Sequence, residues 1–90
     1  MKLTKQVQVK NRMGLHTRPA TAIVKLLQNC KSDVHFTHKR DTINAKGILS
    51  VLMLAARRNA KITIMVEGED GEVEATMGKL VLAFDEGFGE

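Results

Sequence analysis

Ninety residues with 43% apolar content and a single cysteine hold enough material for one modest core and cannot close an internal disulfide. A formal net charge of +4 points to acidic or phosphorylated partners, but no Lys/Arg run exceeds two residues and the only aromatics are Phe36, Phe84 and Phe88, a poor set for a nucleic-acid groove. No stretch of about 18 apolar residues could span a membrane, and residues 1–5 lead into alternating sequence rather than a signal peptide, so 1–90 reads as one cytoplasmic domain.

Over residues 3–9, Leu3, Val7 and Val9 share one face and Thr4, Gln6 and Gln8 the other, the period-two pattern of a half-buried strand. Residues 11–15 form a loop in which Gly14 suits a positive φ or a close approach. From Thr17 the period becomes helical, through Ala20, Ile23, Val24 and Leu27. Pro19 lies in the first turn, where its missing N–H costs nothing. Thr17 has the best capping chemistry, whereas Pro19 as first helical residue would make Arg18 the cap, so spacing leaves His16, Thr17 and Arg18 open.

Residues 33–38 predict a strand with Val34 and Phe36 inward, joined by a tight turn to a short strand over 40–44. Residues 48–58 predict a helix with the core stripe Ile48, Val51, Leu52 and Ala55. Leu54 reads as packing, while Leu49 and Met53 are left over as apolar surface for a partner. Residues 61–67 are the clearest strand, with Ile62, Ile64 and Val66 on the core face. Residues 68–71 turn into a last helix striped by Val73, Met77, Leu80, Val81 and Phe84, with Glu72 and Glu74 near its positive end. Gly78 within it costs about 1 kcal/mol relative to alanine, which implies close packing against the sheet. Residues 85–90, acidic and glycine-rich, read as a frayed tail. The order β-α-β-β-α-β-α argues for an α+β fold with helices on one face of a four-stranded sheet.

The chemistry concentrates in Asn11-Arg12-Met13-Gly14-Leu15-His16-Thr17-Arg18-Pro19-Ala20, where a histidine and an arginine two apart open a helix. Unpaired backbone N–H groups and the positive end of the helix dipole favour an anion there. A neutral imidazole, with a pKa near about 6.5, has a nitrogen lone pair able to attack phosphorus. An arginine beside it can grip phosphate oxygens in a bidentate contact. Elsewhere the chain offers less. His35 and His38 would point to opposite faces of a strand with no carboxylate or cysteine at ligand spacing, so no metal site is expected. The acidic run at 67–72 lacks the alternating ligands of a calcium loop, and Cys30 reads as a small apolar residue near a helix end. With no Ser/His/Asp set, no paired carboxylates and no nucleotide-binding glycine loop, the chain lacks the parts of a self-sufficient enzyme and no cofactor is expected.

Gly14-Leu15-His16-Thr17-Arg18-Pro19-Ala20 resembles the active-site signature of the HPr family, the histidine phosphocarriers of the bacterial phosphoenolpyruvate-dependent phosphotransferase system, and the resemblance extends to length and element order. It implies a two-layer open-faced sandwich, an antiparallel sheet of order 1-4-2-3 with three helices on one face. It further implies that His16 is the phosphorylated residue and Arg18 binds the phosphate, with Gly14 and Thr17 in support. Enzyme I would be the donor and an EIIA-type domain the acceptor, with the carrier a monomer. Lys25 and Lys46 match basic contact positions, Ile48 and Leu49 match apolar ones, and Met53 is less typical of the sugar branch. Gly47 stands where many HPr proteins carry a serine that a dedicated kinase phosphorylates, and glycine has no hydroxyl. Residues 48–54 and 81–88 look more like NPr, the nitrogen-branch relative, which tilts the reading toward a nitrogen-type acceptor over a sugar-type one. Two other classes stand beside the carrier. One is a purely regulatory binding protein of the same system, which the presence of His16 opposes; the other is a small basic nucleic-acid-binding domain.

Overall fold

Alternating apolar residues in four segments build one sheet, and helical stripes between them cover one of its faces. The computed structural model describes all of residues 1–90. In chain order these are β1 (Lys2–Gln8), α1 (Thr17–Leu26), β2 (Asp33–His38), β3 (Asp41–Asn44), α2 (Ile48–Met53), β4 (Lys61–Glu67) and α3 (Asp70–Asp85), then a 3₁₀ turn at Gly87–Gly89. The strands run in the order β1-β4-β2-β3 with every pair antiparallel, as the family resemblance implies. The register sets apolar residues directly opposite one another: Leu3 and Val34 both face Val66, Val7 faces Ile62, and Phe36 lies between Ile64 and Ile43. Such cross-strand pairs are the stabilising unit of a sheet. On the same face, Ile23 and Leu27, Val51, and Val73, Met77, Leu80 and Phe84 complete the buried core.

Two side chains tie the turn after α1 to its surroundings. Glu72, in the first turn of α3, accepts hydrogen bonds from the Ser32 hydroxyl at 2.6 Å and the Lys31 amide at 3.1 Å. Those two bonds, the hydroxyl first, hold its carboxyl below the usual range. Lys46 Nζ donates to the Cys30 carbonyl at 2.8 Å, and Cys30 itself is half-buried.

Three sequence expectations are corrected. The second helix ends at Met53 rather than at residue 58. Leu54 and Ala55 close it with tight bonds to Val51 and Leu52, Ala55 then takes a left-handed φ of 50°, and it lies exposed instead of joining the core stripe. Gly78 does not pack against the sheet: it is exposed, and a Cβ placed on it would meet nothing within 4 Å. The segment 85–90 is not frayed. Lys10 Nζ bonds Asp85 at 2.6 Å, Gly87 is buried against Asn11, and the Phe88 ring packs edge-on against Phe84 with centroids 4.9 Å apart.

Candidate functional site

His16 is the N-cap of α1, with an extended backbone (φ −81°, ψ −170°) and a carbonyl that accepts from the Ala20 amide at 3.0 Å. The cap left open among three residues therefore falls on His16, with Thr17 first and Pro19 third in the helix. Its side chain caps nothing, so the imidazole is free for other work. Because Pro19 has no N–H, the amides of Thr17 and Arg18 are the first-turn donors that the helix leaves over. Thr17 is exposed, and its carbonyl accepts the Thr21 hydroxyl at 2.8 Å.

The loop before the helix is held by backbone. Gly14 has φ +70°, and an added Cβ would crowd the Ala56 carbonyl oxygen and lie 2.9 Å from Arg57 Cα. Only glycine permits both that conformation and that approach. The neighbouring Leu15 amide donates to Ala56 O at 2.9 Å, and the His16 amide to Gly14 O at 2.9 Å. Buried Asn11 spans the same turn, its Nδ2 donating to Gly14 O at 2.5 Å.

Sequence reasoning missed the nearest neighbour of His16. Glu90 brings its carboxylate back over the ring, with Oε1 2.9 Å and Oε2 3.0 Å from His16 Nε2. Asn11 Nδ2 donates to Oε1 at 3.0 Å, and Arg18 Nη1 lies 3.9 Å from Oε2. The Glu90 side chain is only 17% exposed. The hydrogen bond from His16 lowers its pKa, partly offset by burial and aided by the charge of His16, the Asn11 amide and the charge of Arg18. The one signal for this contact was Phe88, an aromatic in an otherwise polar tail that needs an apolar neighbour and finds Phe84. Imidazole, amide and guanidinium thus already gather around an anion, and these donors are the kind that a phosphoryl group requires.

Arg18 is 79% exposed, free to follow a ligand. Lys25 is exposed at the last turn of α1, whereas Lys46 is partly buried by its bond to Cys30. Ile48 is half-buried, while Leu49 and Met53 are 71% and 79% exposed. Met13, which sequence reading did not single out, is also exposed in the loop that precedes His16.

The family model described as "PTS HPr component phosphorylation site" matches residues 3–84. Phosphocarrier protein HPr of Chlamydia pneumoniae is 44% identical over 82 residues, which cover 91% of this chain and 74% of that one. Phosphocarrier protein NPr of Klebsiella oxytoca is 31% identical across 100% of this chain and 99% of its own. The crystal structure of HPr-C-His from Thermoanaerobacter tengcongensis superposes with a TM-score of 0.90 at 27% identity, covering 98% of this chain and 97% of that one. The antiparallel 1-4-2-3 sheet with three helices is shared with this solved HPr, and the curated relatives are phosphocarrier proteins. The chain belongs to the HPr family of the phosphotransferase system.

Proposed function

We propose that residues 1–90 act as one monomeric phosphocarrier domain in the cytoplasm, taking a phosphoryl group from phosphoenolpyruvate-charged Enzyme I on His16 and delivering it to an EIIA-type acceptor. The observation that carries this reading is the setting of the His16 ring. An ionised carboxylate only accepts hydrogen bonds, so the contact with Glu90 calls for the proton on Nε2. In the neutral ring the lone pair is then on Nδ1, which takes no part in either contact. Nδ1 attacks phosphorus as the bond to the donor's nitrogen breaks, the ring becomes positive while Nε2 keeps its proton, and Glu90 offsets that charge. Arg18 meets the incoming phosphoryl oxygens. Transfer onward returns the electron pair to Nδ1.

Leu49, Met53 and Ile48 beneath them seat the partner, and Lys25 and Lys46 supply positive potential that speeds encounter with acidic surfaces. Residues 48–54 and 81–88 favour a nitrogen-type acceptor. The test uses Enzyme I and phosphoenolpyruvate with the parent and with His16→Ala. The parent gains an acid-labile, base-stable adduct by mass spectrometry and the variant gains none. A folded His16→Ala chain that is still phosphorylated at His35 or His38 overturns the assignment.

A further inference from the structure

A broad concave surface lies beside the site. It is an open trough of about 670 Å³ between the β2–β3 turn and the segment after α2. His38 and Lys39 line it from the turn, Arg57 and Arg58 from the opposite side, and Asp41 is the one acid in its wall. None of these four basic residues has an ion-pair partner, since the salt bridges of the chain involve Met1, Lys10, His16 and Arg18. The wall is fixed before anything binds. The Asn59 amide donates to Val9 O at 2.7 Å, Val9 donates back to Ala60 O at 2.9 Å, and Ala60 donates to Arg57 O at 3.0 Å. Three of the four non-glycine residues with a left-handed backbone, Lys39, Ala55 and Asn59, lie along this trough, a conformation that persists only where the surroundings dictate it.

We propose that this trough receives an acidic segment of the protein that docks on the His16 face, Arg57 and Arg58 pairing with its carboxylates. Continuity supports the choice of a protein. The loop that holds His16 rests on the backbone of Ala56 and Arg57, and exposed Met53 is shared between the trough and the outer face of α2. A partner seated over His16 therefore reaches the trough. Small ligands need enclosure on most sides, which an open trough does not provide. Single-stranded nucleic acid needs aromatic faces for stacking, yet Phe36 and Phe84 are buried and Phe88 is packed on Phe84. Carboxylates match the fork of arginine. The inference rests on the phosphocarrier reading only for which protein docks, so the two are tested separately.

Amide NMR titration of the unphosphorylated parent with hexaglutamate, with pyrophosphate and with an oligothymidylate tests binding without any phosphotransfer. Hexaglutamate shifts the amides of His38, Lys39, Arg57 and Arg58 to saturation. Arg57→Glu/Arg58→Glu weakens that binding by about tenfold, while Lys2→Glu/Lys5→Glu, with the same change in net charge on exposed β1 positions, leaves it nearly intact. Equal weakening in the two double variants, or tighter binding of pyrophosphate or the oligonucleotide at the same amides, overturns the proposal. Phosphoryl transfer is then timed from Enzyme I and to EIIA domains. If the parent carries phosphate and Arg57→Glu/Arg58→Glu transfers at the parental rate with both partners, the trough proposal fails. If hexaglutamate fills the trough but the parent takes up no phosphate, only the carrier reading falls.

Discussion

Gly14→Ala is the sharpest test of how the His16 loop is held. Alanine at φ +70° incurs the left-handed penalty of about 1–2 kcal/mol. Its Cβ would also press on the Ala56 carbonyl oxygen and on Arg57 Cα. Both are backbone atoms, so no side chain can swing aside. Relief comes only by moving the loop away from residues 56–57, which stretches the bond from the Leu15 amide to Ala56 O and forfeits a further contribution of about 0.5–1.5 kcal/mol. The sum, about 1.5–3.5 kcal/mol, is a large part of the roughly 5–13 kcal/mol expected of a domain this size. In thermal unfolding followed by circular dichroism it corresponds to a fall of about 6–28 °C. Phosphorylation well below the melting temperature should slow as well, because the His16 amide bonds the Gly14 carbonyl. A loss under about 0.5 kcal/mol would refute the claim that backbone contact at Gly14 fixes the loop.

Gly78→Ala, the same chemical change at an exposed helical site with open space around it, should stabilise by about 1 kcal/mol in urea denaturation. Glu90→Gln tests the carboxylate over His16. The folded-state pKa of Glu90 is lowered, so its contribution is complete above the unfolded value and lost as pH falls through the folded one; parent and variant should differ in melting temperature near neutral pH and converge below about pH 4. Arg18→Ala should hardly change stability, since its side chain is largely exposed, yet a charged phosphate contact of about 1.5–3 kcal/mol predicts an about 10- to 150-fold slower single-turnover transfer from Enzyme I.

The sheet and the two longer helices were legible because their signals are periodic. Ile62, Ile64 and Val66 can share a face only in a strand, and Val73, Met77, Leu80 and Phe84 only in a helix; all seven are buried where that argument puts them. Strand order was not periodic information. Val7, Val34, Phe36 and Ile43 are equally good on any neighbour, so 1-4-2-3 followed from resemblance rather than from pattern. The end of α2 failed for a related reason. The apolar spacing runs past Met53 to Ala56, but the chain turns left-handed at Ala55 so that Ala56 can accept the Leu15 amide, a tertiary demand that leaves no mark on local periodicity.

Within the site, what could be read is what resides in one stretch of chain. His16 and Arg18 announce themselves because two residues at a helix start share a ligand position by geometry alone, and Gly14 because a tight loop needs a residue without Cβ. Asn11 and Glu90 could not be read in the same way, since their roles are joined across 79 residues of chain. Composition made the tail look disordered, counting acids and glycines as a cost to burial. The decisive residue was the exception to that composition. Phe88 gains apolar contact against Phe84, Gly87 with φ +60° lets the chain pass close to Asn11, and these two placements bring Glu90 to Nε2 of His16. A polar tail with one aromatic is therefore better read as an anchor followed by a reach, and the side chain at the end of that reach is where an acid can face a histidine that no periodic argument would pair with it.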